Sequence, residues 1–280
     1  MGISEIVNKC GLNKDEEAVY RSYIKNKFTS VSENSDDSYL IKWNAIAAYA
    51  REHSAAQALN AKVCPRRPTA FKSPTDIRIE LYESFSGSVP VIYIGNTDDF
   101  EAFVTNVIYK GIRPNDLSST GASFAFGKTT RFIVLSKKPY SNIPASELGL
   151  SDEEWAEKSM IIRREHECTH NFTKTYYGKA ESNLHDEIIA DFFGIFDAFG
   201  CYKADYFLRF MGVTGTSGNR LRFYTKGLPD KVYDAVCETA REAARFMENF
   251  SQSGEFAVMT RRERIIFFCE KGLEGMCADA

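Results

Sequence analysis

The sequence lacks most of the features that would assign a function class at once. Its seven cysteines are odd in number, widely scattered and free of any C-x-x-C pair, which argues against a disulfide framework and against a thiolate zinc site. The 35 basic and 38 acidic side chains give a net charge of −3, so the chain has no overall positive charge that would attract phosphate backbones or anionic lipid. We therefore expect no nucleic-acid partner and no membrane partner.

Long apolar runs are also missing. No segment approaches the ~18 uninterrupted apolar residues that a membrane span needs. The first residues show no basic region followed by an apolar run, which is the pattern of a secretory signal peptide. These two absences predict a cytoplasmic protein.

The composition that is present predicts a folded protein with a sizeable core. Of the 280 residues, 44% are hydrophobic, which excludes disorder as the main description. Hydrophobic periodicity predicts an N-terminal helical segment at residues 1–64. After a connector punctuated by prolines, one domain is expected over residues 75–280, and the whole chain is expected to form one continuous globular unit.

The middle of the chain is predicted to form a small, mostly antiparallel sheet. Alternating and branched residues follow the connector, and two later runs, 123–126 and 131–135, flank a turn at 127–130. From residue 150 onward the pattern is helical again. The predicted fold class is therefore α+β.

Capping signals mark the helices of the second half. Ser151 and Glu154 form a capping-box pattern, and the helix that they open is expected to end before Gly178. A second helix is apolar on nearly every side and is closed by Gly200, so other elements must cover it. A third helix is entered at Pro229.

Two of the four histidines fall in the motif His166-Glu167-x-x-His170. In a chain with four histidines and 23 glutamates, chance gives roughly 0.004 such matches. Residues four apart on a helix share one face and lie about 6 Å apart along its axis, so both imidazoles can reach one tetrahedral zinc ion. Glu167 would then flank the open coordination position. The motif predicts a catalytic site with Zn²⁺ as cofactor.

A catalytic zinc site of this kind needs a third protein ligand. Glu187 and Asp191 lie four apart on the most apolar predicted helix, where an unpaired carboxylate would be costly to desolvate. A metal would satisfy Glu187, and the far ring nitrogen of a zinc-bound histidine would satisfy Asp191. His185 is an alternative to Glu187 as the third ligand, and it lies roughly 200° from Glu187 around the helix axis. Asp186 and Asp191 are further alternatives.

The two helices resemble those of gluzincins, the zincin metallopeptidases in which a helix bearing H-E-x-x-H is followed by a helix bearing E-x-x-x-D. The segment 187–194 reads E-x-x-A-D-x-x-G and is similar to the third-ligand helix of CAAX-processing peptidases. The resemblance implies zinc binding by His166, His170 and Glu187. It implies that Glu167 is the general base and that Asp191 orients a ligand. The resemblance covers residues 151–200.

The resemblance also implies a zincin-like fold, with the small sheet packed on the H-E-x-x-H helix and a helical C-terminal half. The implied activity is hydrolysis of peptide bonds in a peptide or protein substrate. Zinc would polarise the scissile carbonyl and lower the pKa of its bound water toward ~7, and Glu167 would transfer the proton. The alternative is a non-catalytic interaction or regulatory protein with a structural or vestigial zinc site. Retention of Glu167, which ligates nothing, favours the enzyme.

Three further expectations concern the surroundings of the site. The strand 131–135 is predicted to be the sheet edge that pairs with an extended substrate. Cys168 faces the opposite side of its helix from the histidines and is expected in the core, and the segment 212–222 is a candidate covering loop. Five tyrosines are candidate donors to the transition-state oxyanion: Tyr176, Tyr177, Tyr202, Tyr206 and Tyr224.

Overall fold

The computed structural model describes residues 1–32, 37–127, 131–178, 183–215 and 219–278, and it has an α+β fold as predicted. Its strands are β1 (Ile77–Ser84), β2 (Gly87–Ile94), β3 (Ala122–Phe126) and β4 (Arg131–Ser136). Its α-helices are α1 (Ile3–Lys9), α2 (Lys14–Ile24), α3 (Tyr39–Glu52), α4 (Ala55–Ala58), α5 (Thr97–Val107), α6 (Asp152–Tyr176), α7 (Leu184–Phe199), α8 (Ala204–Phe210), α9 (Arg220–Tyr224), α10 (Asp230–Ser251), α11 (Gly254–Val258) and α12 (Arg261–Ala278). Within these described ranges, no helix combines the length and the apolarity that crossing a bilayer requires.

The chain divides into two compact units, and the division differs from the expected one. The sheet unit comprises Ser35–Cys168, and the helical unit comprises Met1–Asn34 together with Thr169–Ala280. The N-terminal helical segment predicted at residues 1–64 is therefore split between the two units. The division falls inside α6, which is one continuous helix.

The N-terminal helices belong to different units because different elements pack against their apolar faces. α1 and α2 pack on α10 and α12, where the hydroxyl of Tyr20 lies 2.6 Å from that of Thr239. α3 packs on the sheet instead, with the Trp43 ring 5.3 Å from the Phe132 ring. Periodicity reveals that a helix has an apolar face, but it carries no information about the partner of that face.

The four strands form one mixed sheet in the order β1-β2-β4-β3. β1 with β2 and β3 with β4 are antiparallel, whereas β2 and β4 are parallel. The hairpin of β3 and β4 is confirmed, although residues 128–130 of its turn lie outside the described residues. The prediction that strand 131–135 is an edge is wrong, because β4 pairs with β2 on one side and with β3 on the other. The edge strand at this end of the sheet is β3.

Each face of the sheet is covered by helices of its own unit. On one face, Phe132 and Val134 pack with Trp43 of α3 and with Phe100 of α5. On the other face, Ile133 and its neighbours on β2 pack with Cys168 of α6. Cys168 is fully buried, which confirms its predicted place in the core.

The helix boundaries follow the capping signals. The backbone N–H of Glu154 donates to the Ser151 hydroxyl, and the Ser151 N–H donates to the Glu154 carboxylate, so the capping box of α6 is formed. α6 ends at Tyr176, two residues before Gly178, whose φ of 75° is left-handed. α7 ends at Gly200, which also has a left-handed φ. Every residue from 184 to 195 of α7 is buried, as its apolar circumference predicts.

Candidate metal centre

The two histidines of the motif lie on consecutive turns of α6, and the four-residue spacing directs both rings to one face of this helix. His166 is buried and His170 is nearly so. Glu167 is half-buried, and among the described residues its carboxylate forms no hydrogen bond and no ion pair. The helix thus presents two imidazoles and an adjacent unneutralised carboxylate.

Tyr140 sets the orientation of the His166 ring. Its hydroxyl lies 3.2 Å from His166 Nδ1, in a buried position on the 3₁₀ turn that follows β4. Arg163, one turn before His166 on α6, donates to the carbonyl oxygens of Lys138 at 2.5 Å and Pro139 at 3.0 Å, and so holds this turn in place. Because Nδ1 faces Tyr140, Nε2 is the nitrogen that would bind a metal.

Asp186 and Glu187 lie at the two ring nitrogens of His170. His170 Nδ1 lies 3.2 Å from Asp186 Oδ2, and His170 Nε2 lies 3.5 Å from Glu187 Oε1. The Thr173 hydroxyl donates to Asp186 Oδ1 at 3.3 Å. Burial alone lowers the pKa of His170, but the charges and hydrogen bonds of Asp186 and Glu187 outweigh it and raise that pKa well above its ordinary value of 6.5. The metal-free ring therefore carries a proton at neutral pH.

Asp191, which was expected to orient a zinc-bound histidine, lies against a cation. Arg220 donates to Asp191 Oδ1 at 3.1 Å and to Glu187 Oε2 at 2.7 Å. For His170, the carboxylate at the far ring nitrogen is that of Asp186 instead. Asp186 takes this position because it lies in the first turn of α7, where its backbone N–H is capped by the Asn183 side chain.

His166, His170 and Glu187 each offer one ligand atom, and these atoms lie within 4.8 Å of one another. Tetrahedral zinc ligands at ~2.1 Å from the ion are about 3.4 Å apart, so small shifts would close the three around one ion. No other group of three His, Cys, Asp or Glu side chains in the described ranges comes together in this way. His185 is not part of the cluster. It is buried rather than solvent-exposed, and its Nε2 lies 3.0 Å from the Phe268 carbonyl oxygen.

The donor set fits zinc. Two imidazoles and one carboxylate are the ligands of a common class of catalytic zinc site, which keeps a fourth position open. The atom of each ligand that faces away from the cluster has a partner: Tyr140 at His166, Asp186 at His170 and Arg220 at Glu187. Such partners fix ring tautomers and carboxylate orientation in metal sites.

One of the five candidate tyrosines lies next to the third ligand. Burial raises the pKa of Tyr224, the nearby charge of Glu187 adds to the rise, and the Arg220 guanidinium lies 6.0 Å from its ring centroid. Burial likewise raises the pKa of Tyr202, with Asp191 as the next cause. The remaining three pack in aromatic pairs: Tyr176, Tyr177 and Tyr206.

Two residues around the candidate ligands, Tyr140 and Arg220, were not predicted from the sequence, and Asp186 was predicted in a different role. Tyr140 carries no local signal, because a tyrosine after a strand is unremarkable in sequence. Arg220 lies in the segment 212–222, which was expected only as a covering loop, and residues 216–218 of it are outside the described ranges. The sequence suggested Asp186 only as an alternative ligand. A buried acid in the first turn of a helix, next to a candidate ligand, could have indicated an orienting role instead.

Comparison with known proteins assigns a family but no activity. No curated protein and no solved structure matches the chain. One family model matches residues 128–280, which is more than half of the chain. The matched region includes the whole of α6 and α7, with the three candidate ligands and Glu167, and it leaves out β1, β2 and β3. The chain therefore belongs to DUF7005, a family of unknown function.

Proposed function

We propose that this protein is a zinc-dependent hydrolase, most specifically a zincin-type metallopeptidase. The observation that carries the proposal is the cluster of ligand atoms from His166, His170 and Glu187 within 4.8 Å, with Glu167 next to the first ligand on the same helix. Bound there, zinc would supply Lewis-acid polarisation of a substrate carbonyl and a lowered pKa, toward ~7, for the attacking water.

The residues of the chain have distinct tasks in this proposal. Glu167 accepts a proton from the attacking water and returns it to the leaving amine, and a carboxylate without a competing cation is suited to that exchange. Tyr224, like any tyrosine, is protonated at neutral pH, and burial raises its pKa further, so it can donate a hydrogen bond to the carbonyl oxygen as negative charge develops there. Arg220 holds Glu187 by Oε2, which leaves Oε1 directed toward His170.

The substrate strand is proposed to pair with β3. Within the described sheet β3 has a neighbour only on the β4 side, so its outer main-chain groups can extend the sheet by one strand. β3 is antiparallel to β4. The proposal therefore assigns to β3 the pairing with substrate that the sequence suggested for the strand 131–135.

Substitution of the general base tests the catalytic claim. Glu167→Gln should keep zinc content and thermal stability near wild type while lowering peptide turnover by at least ~10²-fold, because the amide cannot accept the proton. Glu157→Gln is the matched control, since Glu157 is an exposed glutamate on the same helix. A diverse peptide library read by mass spectrometry is the assay, with chelator-treated protein as the blank. Cleavage that survives both Glu167→Gln and the chelator would refute the mechanism.

Metal analysis tests the site independently of any substrate. Purified protein reconstituted with zinc should hold one ion per chain. His166→Ala should abolish binding, whereas His53→Ala, which removes an exposed histidine stacked on Tyr49, should not. Sub-stoichiometric zinc in the reconstituted wild type would contradict the proposal.

One observation favours the alternative of a non-catalytic protein with a vestigial site. Arg220 contacts Glu187 and Asp191 together, so both buried carboxylates are neutralised by the chain itself. Glu167 distinguishes the hydrolase from the non-catalytic alternative, because it acts as a general base only in the hydrolase. Stoichiometric zinc with no library peptide cleaved by the wild type, and no difference between it and Glu167→Gln, would favour the alternative.

A further inference from the structure

A second concave site lies in the sheet unit and is made of other residues. It has a volume of about 360 Å³ and is lined by ten residues, five of which are cations and none of which is an acid: Lys42, Lys62, Arg66, Arg67 and Lys110. We call this the basic pocket. The chain as a whole has more acids than bases, so ten of its residues taken at random would include about one cation and one acid. The local excess of positive charge is therefore not a reflection of composition.

The five cations have no acidic partner in the part of the chain that the structure describes. Among the described residues, none of the five forms an ion pair with an acid. The nearest compensation is the ring of Tyr49, whose centroid lies 4.7 Å from Lys62 Nζ. Like charges that line one pocket repel one another, so clustering five of them has a cost that a bound anion would remove.

Two unusual backbone segments place these side chains. A π-helical turn, Leu59–Val63, carries Lys62, and such turns are rare and are frequently found at functional sites. Lys110, which also lines the pocket, has a φ of 54°, a left-handed conformation that is strained for a residue with a side chain. At the next residue, Gly111, a Cβ would lie only 3.3 Å from Arg67 Nε. The Arg67 side chain thus packs directly on the Gly111 backbone.

We propose that the basic pocket binds a small molecule that carries two or more phosphate groups. Guanidinium groups such as those of Arg66 and Arg67 bind phosphate oxygens in pairs, and lysine ammonium groups add point charges. The volume suits a small ligand rather than a duplex or a membrane surface. Val63, Pro65 and Val107 also line the pocket and offer apolar contact to the part of the ligand that is not phosphate.

Calorimetry with inorganic tripolyphosphate on the full chain tests this site at physiological salt. The wild type should bind one tripolyphosphate per chain in the micromolar range. Lys62→Gln with Arg67→Gln should weaken binding at least ~30-fold, because two charge-assisted contacts are lost. The control, Lys14→Gln with Lys25→Gln, changes the net charge equally at exposed lysines far along the sequence, and it should stay within ~2-fold of wild type.

The outcomes separate the pocket from general charge attraction. Binding absent at 1 mM tripolyphosphate, or weakened equally by both double variants, would overturn the proposal. Stronger binding to anionic vesicles or to a single-stranded oligonucleotide than to tripolyphosphate would overturn it as well, because the surface would then serve a macromolecule. Circular dichroism checks folding; Lys62, Arg66 and Arg67 are all exposed, and if the double variant does not fold, the single variant Arg66→Gln replaces it because it removes only one charge.

Discussion

Replacing Asp186 by asparagine removes one negative charge from the far side of the His170 ring. The carboxylate is fully buried and lies 3.2 Å from Nδ1, so in the neutral ring that would bind zinc it favours the proton on Nδ1 and leaves Nε2 toward Glu187. An amide at this position keeps the size of the side chain, but it lacks the charge that makes the ring a stronger ligand. We therefore expect Asp186→Asn to fold and to bind zinc more weakly.

The expected loss of zinc affinity follows from the role of the contact between Asp186 and His170. Loss of a carboxylate behind a metal-binding histidine typically weakens metal affinity 10–100-fold, which is about 1.4–2.7 kcal/mol. At a zinc concentration 1,000 times the wild-type dissociation constant, zinc adds about 4 kcal/mol to the free energy of unfolding. A 100-fold weaker site at the same concentration adds only about 1.4 kcal/mol.

Competition against a zinc chelator gives the affinity, and denaturant unfolding with and without zinc gives the stabilisation. Asp197→Asn is the matched control, because Asp197 lies on the same helix and pairs with Arg261 near the surface. The control should keep wild-type zinc affinity. Unchanged affinity in Asp186→Asn, or an equal loss in the control, would refute the assignment of Asp186.

Four other predictions concern the same site. Tyr140→Phe should weaken zinc binding up to ~10-fold through loss of the contact to His166 Nδ1, measured by the same competition, and no change would remove Tyr140 from the site. Arg220→Gln should lower the free energy of unfolding of the metal-free protein by roughly 3–5 kcal/mol, because two buried carboxylates lose their cation, and a loss under 1 kcal/mol would contradict this. Because the pKa of His170 is raised well above 6.5, zinc binding near pH 7 should release about one proton, and affinity should rise with pH; calorimetry in two buffers would show this. The same shift stabilises the metal-free fold fully below about pH 6.5, and that contribution should be lost as pH rises through the folded-state pKa, which pH-dependent unfolding would detect.

Local chemistry explains why the helix boundaries and the motif could be predicted. The capping box at Ser151 and Glu154 forms as expected, because both partners lie within one turn of each other. His166 and His170 share a face for the same reason, since helical geometry alone relates them. The buried place of Cys168 follows from the same rotation around the helix.

Pairings between distant segments could not be predicted in this way. A strand's sequence indicates that it is buried, but not whether one or two neighbours pair with it, so β4 was expected at an edge and lies inside the sheet. The N-terminal helices show the same limit, because α2 and α3 each bury apolar residues and belong to different units.

The sequence by itself determined the α+β class, the helices of the second half and the identity of the H-E-x-x-H residues, because each depends on spacing along a single element. Only the tertiary structure decided that Glu187 rather than His185 joins the two histidines, and that Asp186, Tyr140 and Arg220 are the partners of the three candidate ligands. The physical reason is that a buried polar atom must find some partner, and burial does not specify which one. That choice depends on how elements far apart in sequence pack against one another.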